Sequence, residues 1–133
     1  MANLMNTGKL IIPYGRHPEP SEIKVAEVFM ARGHDVEFLT EPQTEGLKSA
    51  DVIINGIIWE IKSPTGNNRR TIQRAIAKAS KQSTNVIFDS RHSAISEDTF
   101  IRQLHQELKR HPDIKRLVLI GKSSNLLDIK GKF

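Results

Sequence analysis

Two acidic residues and a lysine stand around a predicted β-hairpin, in a pattern suited to phosphodiester chemistry. Asp51 begins the first apolar run, and Glu60 and Lys62 end the second, with Asn55-Gly56 between them. Asn-Gly between two apolar runs predicts a hairpin, because both residues accept the positive φ of a type I′ turn. Counting outward from this turn places Asp51 opposite Glu60, and Lys62 follows on the same face.

This acidic face of the hairpin is where we expect the chemistry. Two carboxylates opposite each other repel, so a purely structural hairpin would avoid them. A divalent cation relieves the repulsion, and oxygen ligands suit Mg²⁺ or Mn²⁺. Lys62 would orient or activate a water, or neutralise charge that develops on a phosphate. The alternative is a solvated hairpin face, since Glu-x-Lys by itself is a common sequence.

The composition favours a polyanionic partner and excludes several classes of site. The chain has 133 residues, which suits one domain over residues 1–133, and a net charge of +5 that makes nucleic acid the default candidate. A basic domain without such a partner is the alternative. The absence of cysteine excludes disulfides and thiolate zinc sites. We find no run long enough to span a membrane and no signal peptide, so no membrane association is expected.

The hydrophobic pattern predicts an α/β fold with a mixed sheet and about three helices. The opposite face of the hairpin is wholly apolar, which indicates a core face. After a frayed start at residues 1–8, the predicted elements are a strand at 9–13, a helix at 21–32, a strand at 35–39, a polar loop at 41–50, the hairpin at 51–62, a helix from 68 or 69 to 82, a strand at 85–89, a helix at 97–110 capped by Ser96, a strand at 115–121 and an edge strand at 126–129. Hairpin strands followed by crossover helices imply that the sheet is mixed.

The hairpin and the helix before it resemble the PD-(D/E)xK nuclease superfamily. That family has an α-β-β-β-α-β core whose central hairpin carries the catalytic Asp, Glu and Lys, here Asp51, Glu60 and Lys62. Many members add a Glu from the first helix. The resemblance assigns this role to Glu22, eleven residues before Gly33. Glu27, on a different face of the helix, is the competing choice.

A narrower resemblance covers most of the chain after the first turn of the first helix. The stretches DVEFL (35–39), DVIINGIIWEIKSPTGNN (51–68), TIQRAIAKASKQSTNVIFDSR (71–91) and KRLV (115–118) are similar to the tRNA nuclease toxin domain of contact-dependent growth inhibition proteins. The resemblance implies a bacterial, metal-dependent endoribonuclease that cleaves tRNA in the cytoplasm of a target cell. It also implies a cognate immunity protein. A large carrier is expected before such a domain, so we expect either an excised domain or a free-standing relative.

Residues around the hairpin are candidates for holding the substrate. Ser63 and Thr65 follow the hairpin strand that carries Glu60, where they would donate to a phosphate or a metal-bound water, and turn chemistry around Pro64 is the alternative. A basic helix and the end of a core strand supply the predicted phosphate contacts, with a solvated face as the alternative: Arg69, Arg70, Arg74, Lys78 and Arg91.

Three functions are compatible with this pattern. The favoured one is a tRNA endonuclease in which Glu22, Asp51 and Glu60 bind Mg²⁺ or Mn²⁺. The second is a metal-dependent DNA endonuclease of the same superfamily, which a resolvase or repair enzyme would exemplify. The third is a nucleic-acid-binding domain without catalysis. The sequence leaves the ion, the cleaved bond and the oligomeric state open.

Overall fold

Seven strands and three helices make up the described part of the chain, residues 7–40 and 50–133, in this computed structural model. The predicted order of elements is confirmed. Residues 1–6 of the predicted frayed start and residues 41–49 of the predicted polar loop lie outside the described residues. The elements are β1 (Leu10–Ile11), α1 (Pro20–Met30), β2 (Val36–Phe38), β3 (Val52–Ile54), β4 (Ile57–Lys62), α2 (Arg69–Ser80), β5 (Asn85–Asp89), α3 (Glu97–Leu108), β6 (Arg116–Ile120) and β7 (Leu126–Lys130).

Each helix ends two residues before its predicted end. The chain after each helix continues as a tighter turn, in which Arg32, Lys81 and Arg110 donate their N–H groups to carbonyls three residues back. The two residues that follow each helix include no glycine or proline, so the sequence alone gives no signal for the end of the helix and overestimates its length. Ser96 caps α3 as predicted, and Asn68 caps α2. In the part of the chain that the structure describes, no helix is long and apolar enough to cross a membrane.

The strands lie side by side in chain order from β1 to β7. Neighbours joined by a helix are parallel, namely β1–β2, β4–β5 and β5–β6, because a parallel neighbour requires a crossover connection. The remaining neighbours are antiparallel. The predicted mixed α/β sheet is therefore confirmed, and the β3–β4 hairpin lies at its centre.

The hairpin has the predicted turn and register. Asn55 and Gly56 have φ values of 55° and 75°, as a type I′ turn requires. Val52 pairs with Trp59, and the next two residues of each strand pair in step. Trp59 is fully buried while Ile58, on the other face, is 48% exposed. The predicted alternation between an apolar and an acidic face is thus confirmed along β4, whereas the paired residues end before the predicted pair of Asp51 with Glu60.

Two apolar layers hold the helices against the sheet. One forms between α1 and the centre of the sheet, where Phe29, Trp59 and Ile87 are buried together. The other forms between the opposite face and α2 with α3, around Ile76, Phe88 and Phe100. The acidic face of the hairpin belongs to this second side of the sheet, because Glu60 and Lys62 alternate with the buried Trp59 and Ile61 of the first layer.

Candidate active site

Asp51, Glu60 and Lys62 meet where β3 begins and β4 ends. The backbone N–H of Asp51 donates to the carbonyl of Trp59 at 2.9 Å, although Trp59 already pairs with Val52, so Asp51 does not form the predicted cross-strand pair with Glu60. Its carboxylate Oδ2 accepts a hydrogen bond from the N–H of Ile61 at 2.8 Å. The carboxylate of Asp51 is therefore fixed at the end of the hairpin, beside the side chain of Glu60.

Glu60 is a buried carboxylate with one unsatisfied oxygen. The residue is 3% exposed. Oε2 lies 3.0 Å from the Lys62 ammonium, but Oε1 has no hydrogen-bond partner. A buried carboxylate oxygen without a partner is costly, and Glu60 Oε1 can therefore accept a ligand.

The electrostatics of the pair indicate an excess of negative charge. Burial, and secondly the charge of Glu60, raise the pKa of Asp51 from 3.8 to about 6. Three carboxylates, those of Glu22, Asp51 and Glu60, share two cations, the Lys62 ammonium and the Arg16 guanidinium. The pair thus provides oxygen ligands and a local charge that fit a divalent cation.

Arg16 is a member of the site that the sequence did not reveal. It comes from the loop before α1, and its side chain is 7% exposed. Its Nη2 lies 3.4 Å from Glu22 Oε2 and 3.7 Å from Asp51 Oδ1. Its Nε donates to the carbonyl of Leu39 at 2.8 Å, and the guanidinium stands over the Phe38 ring. No local signal distinguishes Arg16 from other loop arginines, because its partners are distant in sequence.

Glu22 rather than Glu27 lies next to Asp51. Glu22 also has a structural role, because its Oε1 accepts from the N–H of Glu19 at 2.7 Å and so caps α1. Burial is the main cause that raises its pKa, and Asp51 adds to it. Glu27 instead lines a separate cleft with Arg91 and Arg32. The structure therefore favours Glu22 as the helix carboxylate of this site.

The three predicted metal ligands do not form a ready-made cluster. Among residues 7–40 and 50–133, no group of three or more histidine, cysteine or acidic side chains is arranged to hold a metal ion. The guanidinium of Arg16 contacts both Glu22 and Asp51. Asp51 and Glu60, with the unpaired Glu60 Oε1, are the carboxylates that fit a cation as they stand.

The predicted substrate-binding residues fall into two groups. Ser63 Oγ is buried without a partner beside the end of β4, whereas Thr65 is exposed. The basic side chains of α2 are all exposed, and none of them forms an ion pair within the described residues: Arg69, Arg70, Arg74 and Lys78. Arg74 and Lys78 thus do not pair with the acidic residues of the hairpin, and phosphate binding by this helix stays a prediction.

Arg91 is occupied by contacts within the protein. Its guanidinium binds both carboxylate oxygens of the fully buried Asp89 at 2.9 Å. It also donates to the Ser124 hydroxyl and to the carbonyl of Lys24. These contacts tie the end of β5 to α1 and to the β6–β7 turn. They give Arg91 a structural role, and its predicted phosphate contact would require some of them to break.

Lys122 is a second basic residue that the sequence did not single out. Its ammonium donates to the carbonyls of Ser90 and Ser93, and its backbone N–H donates to Glu97. The loop after β5 is further joined to the loop after β4, because Ser93 Oγ donates to the carbonyl of Gly66 at 2.6 Å. The ends of the parallel strands β4, β5 and β6 are thus connected by polar contacts beside the candidate site.

Comparison with known proteins gives one family and one similar structure. The family described as contact-dependent growth inhibition CdiA C-terminal domain matches residues 48–126. A chain of the CdiA-CT/CdiI toxin and immunity complex from Burkholderia pseudomallei is similar with a TM-score of 0.69 and 24% identity, over 93% of this chain and 100% of that chain. At that identity the likeness shows the fold alone. No curated protein matches the chain.

Proposed function

Since this chain belongs to the contact-dependent growth inhibition CdiA C-terminal domain family, we propose that it is a metal-dependent endoribonuclease toxin domain that cleaves tRNA. The matched region contains the whole hairpin with Asp51, Glu60 and Lys62, and the basic helix α2. We further propose that the catalytic hairpin is of the PD-(D/E)xK kind. The proposal accounts for the acidic pair, the adjacent lysine and the net charge of +5 together.

The observation that carries the proposal is the buried carboxylate of Glu60. Its Oε1 has no partner, although the residue is 3% exposed and Asp51 stands beside it. A hairpin shaped only by stability would replace such a pair with neutral residues, because like charges and unsatisfied buried oxygens both destabilise the fold. The arrangement is understandable if the pair binds a cation during function.

Each residue has a distinct role in this proposal. Asp51 and Glu60 would hold the divalent cation, which supplies Lewis-acid stabilisation of the phosphate and a more acidic water. Glu22 would join them when the guanidinium of Arg16 turns away from it. Lys62, whose ammonium is 3.0 Å from Glu60 Oε2, would orient the attacking water or neutralise charge on the phosphate. Arg16 lies close enough to Asp51 to act as a phosphate ligand once it is released.

The exposed cations of α2 would contact the RNA backbone. Arg69, Arg70, Arg74 and Lys78 are exposed and have no ion-pair partner among the described residues. Lysine and arginine contacts to phosphates release bound counterions, so binding should weaken steeply as the salt concentration rises. Ser63 and Thr65, at the end of the catalytic strand, would donate hydrogen bonds near the scissile phosphate.

A cognate immunity protein is the expected protein partner. The similar structure is a complex of a toxin with its immunity protein. By analogy, we propose that this domain is held inactive by such a partner in the cell that produces it. Covering the hairpin end would prevent tRNA from reaching Asp51 and Glu60.

Incubation of the purified protein with total bacterial tRNA and with duplex plasmid DNA tests the proposal. Each substrate is treated in Mg²⁺, in Mn²⁺ and in excess chelator, and Glu60→Gln is compared with the exposed-site control Asp113→Asn. We expect discrete tRNA fragments that disappear with chelator and with Glu60→Gln but persist with Asp113→Asn. Cleavage of DNA alone would establish a DNA endonuclease instead. Salt-dependent binding without cleavage of either substrate would establish a binding domain.

A further inference from the structure

A pocket lies beside the turn of the hairpin, on the acidic side of the sheet. Its volume is about 390 Å³, and its walls include Ile11, Glu37, Ile53 and Asn55. This size falls within the range of small-molecule sites in proteins. Ile11 is 45% exposed, so apolar surface remains open to solvent here. The pocket is separate from the contacts of Asp51 and Glu60 described above.

The strand register connects this pocket to the candidate active site. Ile11, Glu37, Ile53 and Ile58 are successive partners across β1, β2, β3 and β4, so they form one row across the sheet. Side chains at alternate positions of a strand share a face, so Ile58 and its partner Ile53 lie on the same face as Glu60. At the usual rise of a strand, this row lies roughly 7 Å from Glu60, and the pocket extends from the row toward the turn. A nucleotide next to the scissile phosphate would reach it.

The lining of the pocket suits a nucleobase rather than a phosphate. Ile11 and Ile53 give apolar walls, and the ring of His34, whose Nδ1 is 3.1 Å from Asn55 Oδ1, lies at the turn end. Glu37 is exposed between the two isoleucines and forms no ion pair within the described residues. A carboxylate repels a phosphate but accepts hydrogen bonds from amino and imino groups at a base edge. RNA is usually read through such unstacked bases.

We propose that this pocket is a base-recognition subsite for a nucleotide adjacent to the scissile phosphate. The proposal deepens the proposed ribonuclease function and rests on it. Glu37 would accept from the base, and guanine fits best because its N1–H and amino group form two parallel donors toward one carboxylate. Adenine and cytosine offer an amino group, whereas uracil offers only one imino N–H. The pocket would therefore select the base beside the cleaved bond.

Isotope labelling of the isoleucine δ1 methyl groups provides a test that does not depend on catalysis. The protein is titrated with GMP, AMP, CMP, UMP and inorganic phosphate in chelator, and the methyl signals of Ile11 and Ile53 are followed by NMR. We expect saturable shifts that are strongest with GMP, weakest with UMP and absent with phosphate. Glu37→Gln should weaken GMP binding about tenfold, as expected for loss of a charge-assisted hydrogen bond, while the exposed-site control Asp113→Asn should not.

Several results would overturn the inference. Equal shifts with phosphate and GMP, no shifts at these methyl groups, or unchanged binding in Glu37→Gln would each show that the pocket does not recognise a base. So would loss of immunity-protein binding in Glu37→Gln with nucleotide binding intact, which would identify a protein interface.

Cleavage assays separate this inference from the proposed function. If the unaltered protein cuts tRNA and Glu37→Gln changes the base preference at the cut, both are supported. If Glu37→Gln cuts the same bonds with the same preference, the subsite is refuted and the ribonuclease remains. If the unaltered protein cuts no RNA, the ribonuclease is refuted, and Glu37-dependent GMP binding would still support a base-binding pocket.

Discussion

Asp51 is expected to reduce the stability of the folded protein near neutral pH, so Asp51→Asn should stabilise the protein while it abolishes cleavage. Burial and the charge of Glu60 raise the pKa of Asp51 from 3.8 to about 6 in the folded state. A carboxyl group whose pKa is higher in the folded state than in the unfolded state binds its proton more tightly when the protein is folded. Its contribution to stability is fully present below the unfolded pKa, where the group is protonated in both states. This advantage is lost as the pH rises through about 6.

The size of the effect follows from that difference in pKa. A rise in pKa of roughly two units corresponds to a free-energy difference of about 3 kcal/mol between the protonated and ionised forms of Asp51. This value is the upper limit of the stability that Asp51→Asn can recover. Asparagine keeps an oxygen that can accept from the N–H of Ile61, but it loses the charge that faces Arg16 at 3.7 Å. We set that loss at about 1 kcal/mol. The expected net gain is about 1–2 kcal/mol in unfolding free energy near pH 7, which raises Tm by about 3–8 °C.

Urea and thermal unfolding, followed by circular dichroism in excess chelator, measure this gain. Unaltered protein, Asp51→Asn and the control Asp113→Asn are compared between about pH 7 and about pH 4. The gain should be largest near neutral pH and should shrink through about pH 6, because Asp51 of the unaltered protein becomes protonated. A variant that is less stable near pH 7, or a difference that does not change with pH, would refute the reasoning about the acidic pair.

Three further predictions concern the cation, the arginine and the turn. Mn²⁺ should raise Tm of the unaltered protein but not of Glu60→Gln, because a cation that binds only the folded state stabilises it; equal Tm changes in both would contradict binding at this pair. Arg16→Met should lower the unfolding free energy by about 1–3 kcal/mol in urea, since Glu22 and Asp51 lose their shared cation, and a stability equal to that of the unaltered protein would show that the ion pairs contribute nothing. Gly56→Ala should lower the unfolding free energy by about 1–2 kcal/mol in the same assay, because alanine is strained at the φ of 75°. The cost would come from the backbone alone, since no atom lies within 4 Å of the added methyl group. An unchanged stability would show that the turn adjusts freely.

The hairpin shows what local sequence can determine. The Asn-Gly turn, the register of Val52 with Trp59, and the separation of apolar and acidic faces were all predicted and are confirmed. These features depend on residues within a few positions of one another and on the period of two along a strand. The same holds for the Ser96 cap of α3. The predicted helix ends are less accurate, because no glycine or proline marks the start of the tight turn that follows each helix.

Only the tertiary structure decided which residues complete the acidic site. Glu22 and Glu27 lie on the same helix and both are acidic, but the way α1 packs places Glu22 beside Asp51 and Glu27 in a different cleft. The sequence predicts Arg91 as a phosphate ligand, but in the structure the buried Asp89 binds its guanidinium.

Arg16 is the clearest case of information that the sequence does not hold. Its contacts with Glu22 and Asp51 depend on how the loop before α1 packs against the end of the hairpin. The sequence determines the types of the catalytic candidates and places Glu60 and Lys62 on one face, because side chains two positions apart on a strand share a face. The contacts that control their charge join separate segments, and those contacts arise only when the sheet and α1 pack together.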